Sequence, residues 1–267
     1  MTGMPLLWLI LIFVATSAVS VVTGSTSLIT VPAMLQFHIE PRAALATNMF
    51  ALTFMSVGGA FPFLRGQGVN RKRLPLLISL TLAGSIIGAF LLLLIPTRSV
   101  PVIVSAAMIG IAIFSLVYRK SGMQDVSVIP SESAEFTGYA LTFLLGIYGG
   151  FFSGGYVTIL TAVYVTVFRL SFVEAIATTK LMNVFSSAVA TTVFMCHGLV
   201  NYRLGLILGV AMFGGAVFGA RFAIRLGNLW LRRIFLTAVW VLGLKALVFD
   251  FLANVSGCGH APSHAEQ

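Results

Sequence analysis

Charged residues are scarce in this chain: they make up 9% of its 267 residues, with seven Asp and Glu against sixteen Lys and Arg. A soluble globular domain usually carries about a quarter charged residues. So low a share excludes an ordinary soluble domain. Together with a hydrophobic share of 58%, it indicates that most of the chain lies in lipid.

Signatures of enzymes and of metal sites are also missing. The two cysteines form no Cys-x-x-Cys pair, so neither redox chemistry nor metal binding is predicted. The sequence contains no His-Glu-x-x-His and no Walker loop, and Phe151 stands where a rhomboid-type Gly-x-Ser-Gly motif needs its first glycine. No Asp or Glu lies in the middle of an apolar run. We therefore predict a protein that is not an enzyme and binds no cofactor and no metal.

Long apolar runs fill the chain instead. At about 20 residues per helical crossing, the length allows about eight to ten transmembrane helices joined by short loops. The Lys and Arg residues lie singly or in small clusters at the ends of these runs. The formal charge of +9 therefore reports how the spans are oriented in the membrane and does not indicate nucleic-acid binding. No Lys or Arg precedes the first run, residues 6–14, so we expect a retained span and not a cleaved signal peptide.

The sequence matches itself at a constant offset of 131 positions. The matching residues are glycines and polar residues in a gapless register, which apolar helices do not produce by chance. The duplication divides the chain into a first repeat, residues 1–118, a hydrophilic linker, 119–135, a second repeat, 136–252, and a polar tail, 253–267. The matches are Gly24 with Gly155, Ala46 and Thr47 with Ala177 and Thr178, Ser56 with Ser187, Val69 and Asn70 with Val200 and Asn201, Gly84 with Gly215, and Gly88 and Ala89 with Gly219 and Ala220.

Each repeat opens with an apolar segment that is too long for one span. The two segments, residues 5–39 and 136–170, would each form a helix of about 52 Å, so each must break where small residues interrupt it. The breaks are predicted at 23–27 and at 149–155. Three ordinary spans follow in each repeat, near 43–64, 74–95 and 99–118, and near 172–195, 204–226 and 230–251.

The distribution of Lys and Arg decides how these opening segments run. If each folds back, ten cationic residues near the span ends lie on one side of the membrane and three on the other; if each crosses once, the division is seven against six. Membrane insertion favours the first arrangement. The fold class predicted is therefore an all-α polytopic membrane protein with two inverted repeats of about four apolar segments each, with both termini outward. Substrate sites of such transporters lie at the broken helices.

The breaks supply the first candidate site residues. Irregular backbone at membrane depth persists only where protein or water satisfies it, and free N–H groups at a helix start attract anions. The alternative is that these glycines only permit close helix packing. The candidates are Gly24, Ser25, Thr26 and Ser27 in the first repeat and Ser153, Gly154 and Gly155 in the second.

Lys180 is the most informative single residue, because a charge inside an apolar span is by default functional and faces the bundle interior. Asn183 shares its helical face, and Thr178 and Thr179 lie beside it. In the first repeat Thr47 and Asn48 form an uncharged counterpart. The alternative is that Lys180 reaches towards the nearer surface or pairs with a carbonyl. For the paired glycines 84 and 88, and 215 and 219, close helix packing is the better account.

These motifs resemble the sulfite exporter TauE/SafE family, also called the toluenesulfonate and sulfite uptake permeases. The resemblance covers about residues 11–247, and the Thr-Lys-x-x-Asn element is similar to the family's subgroup of probable membrane transporters. The first repeat departs from the usual glycine run, reading Gly-Ser-Thr-Ser at 24–27. The strongest stretches are 146–155 (Gly-Ile-Tyr-Gly-Gly-Phe-Phe-Ser-Gly-Gly), 174–183 (Glu-Ala-Ile-Ala-Thr-Thr-Lys-Leu-Met-Asn), 198–203 (Gly-Leu-Val-Asn-Tyr-Arg) and Gly219-Ala220-Arg221.

The resemblance implies a multi-pass permease of the bacterial cytoplasmic membrane that moves small sulfur-containing anions without hydrolysing ATP itself. Its expected partners are a small anionic solute and the lipid bilayer, and no nucleic acid is expected. Formation of a homo-oligomer is left undecided. The competing hypothesis is a non-transporting membrane assembly or anchoring subunit, which predicts an apolar, tightly packed interface between the repeats and no polar cavity.

Overall fold

The computed structural model describes residues 4–66, 71–118 and 131–225, together with Thr237. The predicted last span at 230–251, the tail and most of the linker lie outside these residues. Every regular element in the described ranges is a helix. In chain order they are α1 (Met4–Thr23), α2 (Ser27–Gln36), α3 (Pro41–Gly66), α4 (Leu74–Leu94), a short 3₁₀ turn (Thr97–Ser99), α5 (Val100–Tyr118), α6 (Glu132–Phe151), α7 (Tyr156–Thr166), α8 (Phe172–Cys196) and α9 (Tyr202–Arg225).

The predicted spans within these ranges coincide with helices. By length and hydropathy alone, α3, α4 and α9 are each able to cross a membrane, and α1, α2, α5 and α7 contain shorter apolar stretches. Helix α8 is not in either group, because Lys180 and Asn183 lower its hydropathy on the face that points into the protein. Helix α6 begins at Glu132, inside the segment predicted as linker, where Ser131 caps it by accepting a hydrogen bond from the Ala134 N–H. The number of spans therefore stays a prediction.

Both predicted helix breaks are present. Helix α1 ends at Thr23 and α2 begins at Ser27, while α6 ends at Phe151 and α7 begins at Tyr156. A glycine with left-handed backbone lies in each break, Gly24 with φ +72° and Gly155 with φ +74°, a region that L side chains rarely adopt. A side chain at either position would be strained, so the backbone needs glycine at both.

The offset of 131 residues recurs in the backbone beyond the breaks. His38 and Arg169, which that offset pairs, are the non-glycine residues with positive φ in the described part of the chain, at 59° and 56°. Each follows the second half of a broken segment, directly before the next long helix. Because a positive φ is uncommon at any non-glycine residue, the shared geometry supports two copies of one unit.

Glycines let the outer helices approach closely, as predicted. A Cβ atom added to Gly84 or Gly88 of α4 would meet backbone atoms of α6, and one added to Gly215 or Gly219 of α9 would meet backbone atoms of α1. Helices α4 and α9 are equivalent in the two repeats, and so are α6 and α1. The glycine face of each repeat therefore packs against the broken segment of the other repeat. Helices α3 and α8 pack against each other between the pair α4 and α6 and the pair α9 and α1.

Candidate functional site

A small cavity lies where the two helix breaks meet the middle of α3 and α8. Its volume is about 10 Å³, measured over the positions that the centre of a water molecule can take, which is about the room that one water needs. In this state the site is closed around little more than a water molecule. It is lined by Gly24, Thr26, Ser27, Leu52, Met55, Ser153, Val157, Lys180 and Asn183.

Lys180 projects from α8 into the contact between α1 and α3. It is 1% exposed, and its Nζ donates to the carbonyl oxygen of Ser20 over 3.3 Å. Gly59 of α3 leaves room for the aliphatic stem, since a Cβ there would lie 3.7 Å from the Lys180 Cδ. The side chain therefore pairs with a carbonyl, one of the alternatives left open by the sequence, and does not reach the surface.

No carboxylate balances this ammonium in the part of the chain that the structure describes: no acidic oxygen lies within 4 Å of its Nζ. The four acidic residues in that part all lie at or near helix starts, namely Glu40, Glu132, Glu135 and Glu174. A buried charge is normally paired or bound to a ligand. One of the three N–H donors of Lys180 meets Ser20, so two remain for a ligand.

Hydroxyl and amide groups complete the polar wall of the cavity. Asn183 donates its amide to the Ser56 Oγ over 2.5 Å, and Thr26 donates to the Met55 sulfur over 3.3 Å, which is a weak acceptor. Among the described residues no hydrogen-bond partner is found for the Ser153 hydroxyl. The Ser153 hydroxyl can therefore donate to a ligand without breaking a hydrogen bond among the described residues.

Two helix starts point their positive ends at the same space. Thr26 and Ser27 begin α2, and Val157 lies in the first turn of α7, yet neither start is capped by a side chain. The N–H groups of Leu28 and Tyr156 in these first turns donate to the backbone carbonyls of Ser25 and Ser153, so it is mainly the helix dipole that favours negative charge here. The amino group of Lys180, several hydroxyls and two helix starts thus line one cavity, an arrangement that could bind a small anion.

Six of the thirteen residues proposed from the sequence line the cavity: Gly24, Thr26, Ser27, Ser153, Lys180 and Asn183. Asn48 lies behind it, where its amide oxygen accepts from Thr30 over 2.7 Å and its amide nitrogen donates to Ser27 over 2.9 Å. The equivalent residue of the second repeat, Thr179, is 3.1 Å from Thr161. Both positions hold the second half of a broken segment against the following helix.

The remaining five residues make other contacts. Thr47 accepts from the N–H of Asn201, and Thr178 donates to the carbonyl of Glu174 in its own helix. Ser25 lies 3.2 Å from Thr158. The other two are Gly154, whose carbonyl accepts from Tyr148 over 2.5 Å, and Gly155, which precedes α7.

Sequence reasoning missed the apolar wall of the cavity. Leu52, Met55 and Val157 line it, and nothing distinguishes them in sequence from residues that face lipid. It also missed Thr30 and Thr161, although these two threonines match at the same offset of 131 residues. That match was the available signal.

Comparison with known proteins identifies the family. A family model described as "Sulfite exporter TauE/SafE" matches residues 9–246. The chain belongs to the TauE/SafE family. The family and relatives of the chain are described as membrane transporters, so the chain is a membrane protein of a transporter family. Within the described residues, no group of three or more His, Cys, Asp and Glu side chains is arranged to hold a metal ion.

Relatives of this TauE/SafE chain carry names that give no substrate. It is 31% identical over 211 residues to the probable membrane transporter protein ORF9 of Sinorhizobium sp, covering 77% of this chain and 78% of that protein. It is 28% identical over 251 residues to the probable membrane transporter protein YfcA of Escherichia coli K12, covering 91% and 90%. A probable membrane transporter protein of Haemophilus influenzae is 26% identical over 238 residues, covering 89% and 92%. No solved structure matches the chain.

Proposed function

We propose that this chain is a permease that carries small sulfur-containing anions, such as sulfite or organosulfonates, across the bacterial cytoplasmic membrane. The observation that carries the proposal is the buried amino group of Lys180 beside two helix starts without side-chain caps in a polar cavity. Sulfur enters through the family description, which names sulfite.

The charge and size of the site support a compact anion. Lys180, Asn183 and the hydroxyls of Thr26, Ser27 and Ser153 offer hydrogen-bond donors along the wall of the cavity. Oxyanions of sulfur present several acceptor oxygens around one centre, and charge-assisted hydrogen bonds to such oxygens are the strong ones. Because the cavity has room for about one water molecule, the anion must enter a more open state and leave through another.

The same proposal includes inverted repeats that open the cavity to alternate sides. The paired backbone geometry of Gly24 and Gly155 and the reciprocal packing of α4 with α6 and of α9 with α1 support two equivalent units. In transporters built this way, one unit rocks against the other around the fixed site. With the termini outward, a periplasmic reporter enzyme fused after residue 267 is active and a cytoplasmic one is not; the reverse result would overturn this orientation.

The anchoring-subunit hypothesis makes a different prediction. It requires an apolar interface between the repeats, whereas the described interface contains a polar cavity with Lys180 and Asn183. It also predicts no flux from the purified protein alone.

The test is flux in proteoliposomes that contain the purified full chain, with labelled sulfite and a panel of short sulfonates. We expect saturable uptake for at least one of these anions. Lys180→Ala should lower the rate by about tenfold to a hundredfold, since a hydrogen bond to a charged group contributes about 1.5–3 kcal/mol. The control is Lys72→Ala, which removes an exposed lysine outside the cavity. Normal flux in folded Lys180→Ala protein would overturn the site assignment, and no flux of any sulfur anion would overturn the function.

A further inference from the structure

Lys180 is held by neutral groups only in the part of the chain that the structure describes. Its Nζ donates to Ser20 in the last turn of α1, where the carbonyl oxygens at the end of a helix carry partial negative charge. Thr26, Ser27 and Ser153 line the same cavity as Lys180. All of these partners are uncharged, so nothing described fixes the side chain as an ammonium in the empty site.

The helices around Lys180 place their titratable groups elsewhere. Helices α1 and α2 contain no titratable residue, and the sequence puts the remaining acids in the linker (Asp125), at the end of the predicted last span (Asp250) and in the tail (Glu266). The groups on the other surrounding helices lie near helix ends or in the aromatic cluster of α7: Arg42 and Arg65 on α3, Glu132, Glu135, Tyr139 and Tyr148 on α6, Tyr156 and Tyr164 on α7, Glu174 and Cys196 on α8, and Tyr202, Arg203, Arg221 and Arg225 on α9.

An anion carrier with such a lysine meets a constraint in its return step. With the anion bound, the ammonium and the anion neutralise each other. After the anion leaves, the site must return empty, and a lone charge buried without a partner opposes that movement. A neutral amine does not. A lysine that releases its proton together with the anion therefore satisfies both steps, and the cavity has room for the one water molecule that can accept it.

We propose that Lys180 carries the coupling proton of the transport cycle, protonated while the anion is bound and neutral while the site is empty. This inference rests on the proposed function. The balance is simple: the amine takes one proton and one monovalent anion from the loading side, and Nζ gives up the proton to water as the anion departs on the other side. The site is therefore without net charge both when it crosses with the anion bound and when it returns empty. Transport of a monovalent anion is then an electroneutral symport with one proton, driven by a pH gradient and independent of Na⁺.

A sulfonate substrate distinguishes a proton carried by the protein from one carried by the substrate. Sulfite itself takes up a proton near neutral pH, whereas an alkanesulfonate stays ionised, so any proton that crosses with it must be carried by the protein. Counterflow at equal pH with methanesulfonate and isethionate first selects a probe that the purified full chain exchanges. Net uptake of that probe is then measured into Na⁺-free proteoliposomes with an alkaline interior.

The expected result is accumulation of about tenfold for a gradient of about one pH unit, unchanged by a K⁺ diffusion potential of either sign. Addition of the probe without a gradient should make a weakly buffered medium more alkaline by one proton for each anion taken up. Exchange without gradient-driven accumulation, or accumulation driven by the diffusion potential, would overturn the inference and leave the proposed function standing. No exchange of any sulfur anion would overturn both.

Lys180→Arg supplies the matched variant, because a guanidinium stays charged in every state of the cycle. Net uptake driven by pH should fall at least about tenfold further than counterflow does in this variant, with Lys72→Arg as control. Gradient-driven accumulation by folded Lys180→Arg protein would place the proton elsewhere. If the variant does not fold, the number of protons taken up per anion by the unmodified protein still tests the proposal, which requires one.

Discussion

The hydroxyl of Thr158 donates to the carbonyl oxygen of Thr23 over 2.6 Å. The same hydroxyl lies 3.2 Å from that of Ser25, and Gly24 packs directly on the Val157 side chain. The first turn of α7 in the second repeat thus sits on the helix break of the first repeat. The two breaks form one connected unit, so these contacts transmit a displacement of one repeat to the helix break of the other.

Thr158→Val should therefore destabilise the protein more than the loss of an exposed hydroxyl. It removes the shorter of two hydrogen bonds to the buried carbonyl of Thr23, which keeps the one from Ser25 over 3.3 Å, so the cost is about 0.5–1.5 kcal/mol. Unfolding by heat or denaturant in detergent micelles measures the effect. Thr192→Val is the control, since Thr192 is exposed and bonds only within its own helix. Equal stability of the two variants would contradict the connected unit.

Asn48→Ala should lower stability because the amide of Asn48 joins α3 to both Thr30 and Ser27. Removing it leaves two buried hydroxyls with fewer partners, a loss of about 1–3 kcal/mol. Thr179→Ala removes a single contact to a side chain of another helix, that with Thr161, and should cost less. The same unfolding assay compares them. A larger loss for Thr179→Ala would show that the two repeats are not held in the same way.

Asn183→Asp should inhibit transport by supplying an internal anion. Asn183 and Lys180 line one cavity, one helical turn apart on α8, so a carboxylate there pairs with the ammonium and competes with substrate. We expect the concentration for half-maximal uptake to rise at least about tenfold, which corresponds to about 1.4 kcal/mol. Asn183→Leu, which loses the hydrogen bond to Ser56 without adding charge, separates the two effects. Weaker inhibition by Asp than by Leu would contradict an anion site at Lys180.

Gly88→Ala should destabilise the contact between α4 and α6. The added methyl group runs into the carbonyl oxygen of Ile147 and lies 2.7 Å from the Phe151 nitrogen, so the helices must move apart. Overpacking of this kind costs about 1–3 kcal/mol. Gly214→Ala in α9 is the matched control, because no atom lies within 4 Å of its added Cβ and alanine favours a helix over glycine by about 1 kcal/mol. We expect the free energy of unfolding to fall for Gly88→Ala and to rise for Gly214→Ala. Equal losses would contradict the close approach of α4 and α6.

The sequence was sufficient for the helices and their breaks. Apolar runs too long for one crossing, interrupted by small residues, predicted the ends of α1 and α6, and the offset of 131 residues predicted that both repeats would break alike. These features depend on local backbone preferences and on composition, which a single sequence records directly. The paired glycines of α4 and α9 were likewise assigned correctly to helix packing.

The partners of the polar residues were not predictable in the same way. Asn48 was proposed as a ligand beside Thr47, but its amide is bonded to Thr30 and Ser27. Which side of a helix faces a cavity depends on how the helix is rotated against its neighbours, and a single sequence fixes that rotation only within a turn or so. Met55 and Leu52 were missed for the complementary reason, because an apolar residue looks the same whether it faces lipid or a binding site.

Met49 occupies in the first repeat the position that Lys180 occupies in the second. Helices α3 and α8 pack against each other, yet the two equivalent positions on them differ, one apolar and one basic. This difference ends the equivalence of the two halves. In the carrier proposed above, halves that differ in charge give the two facing states unequal energies, so the carrier has a preferred resting side.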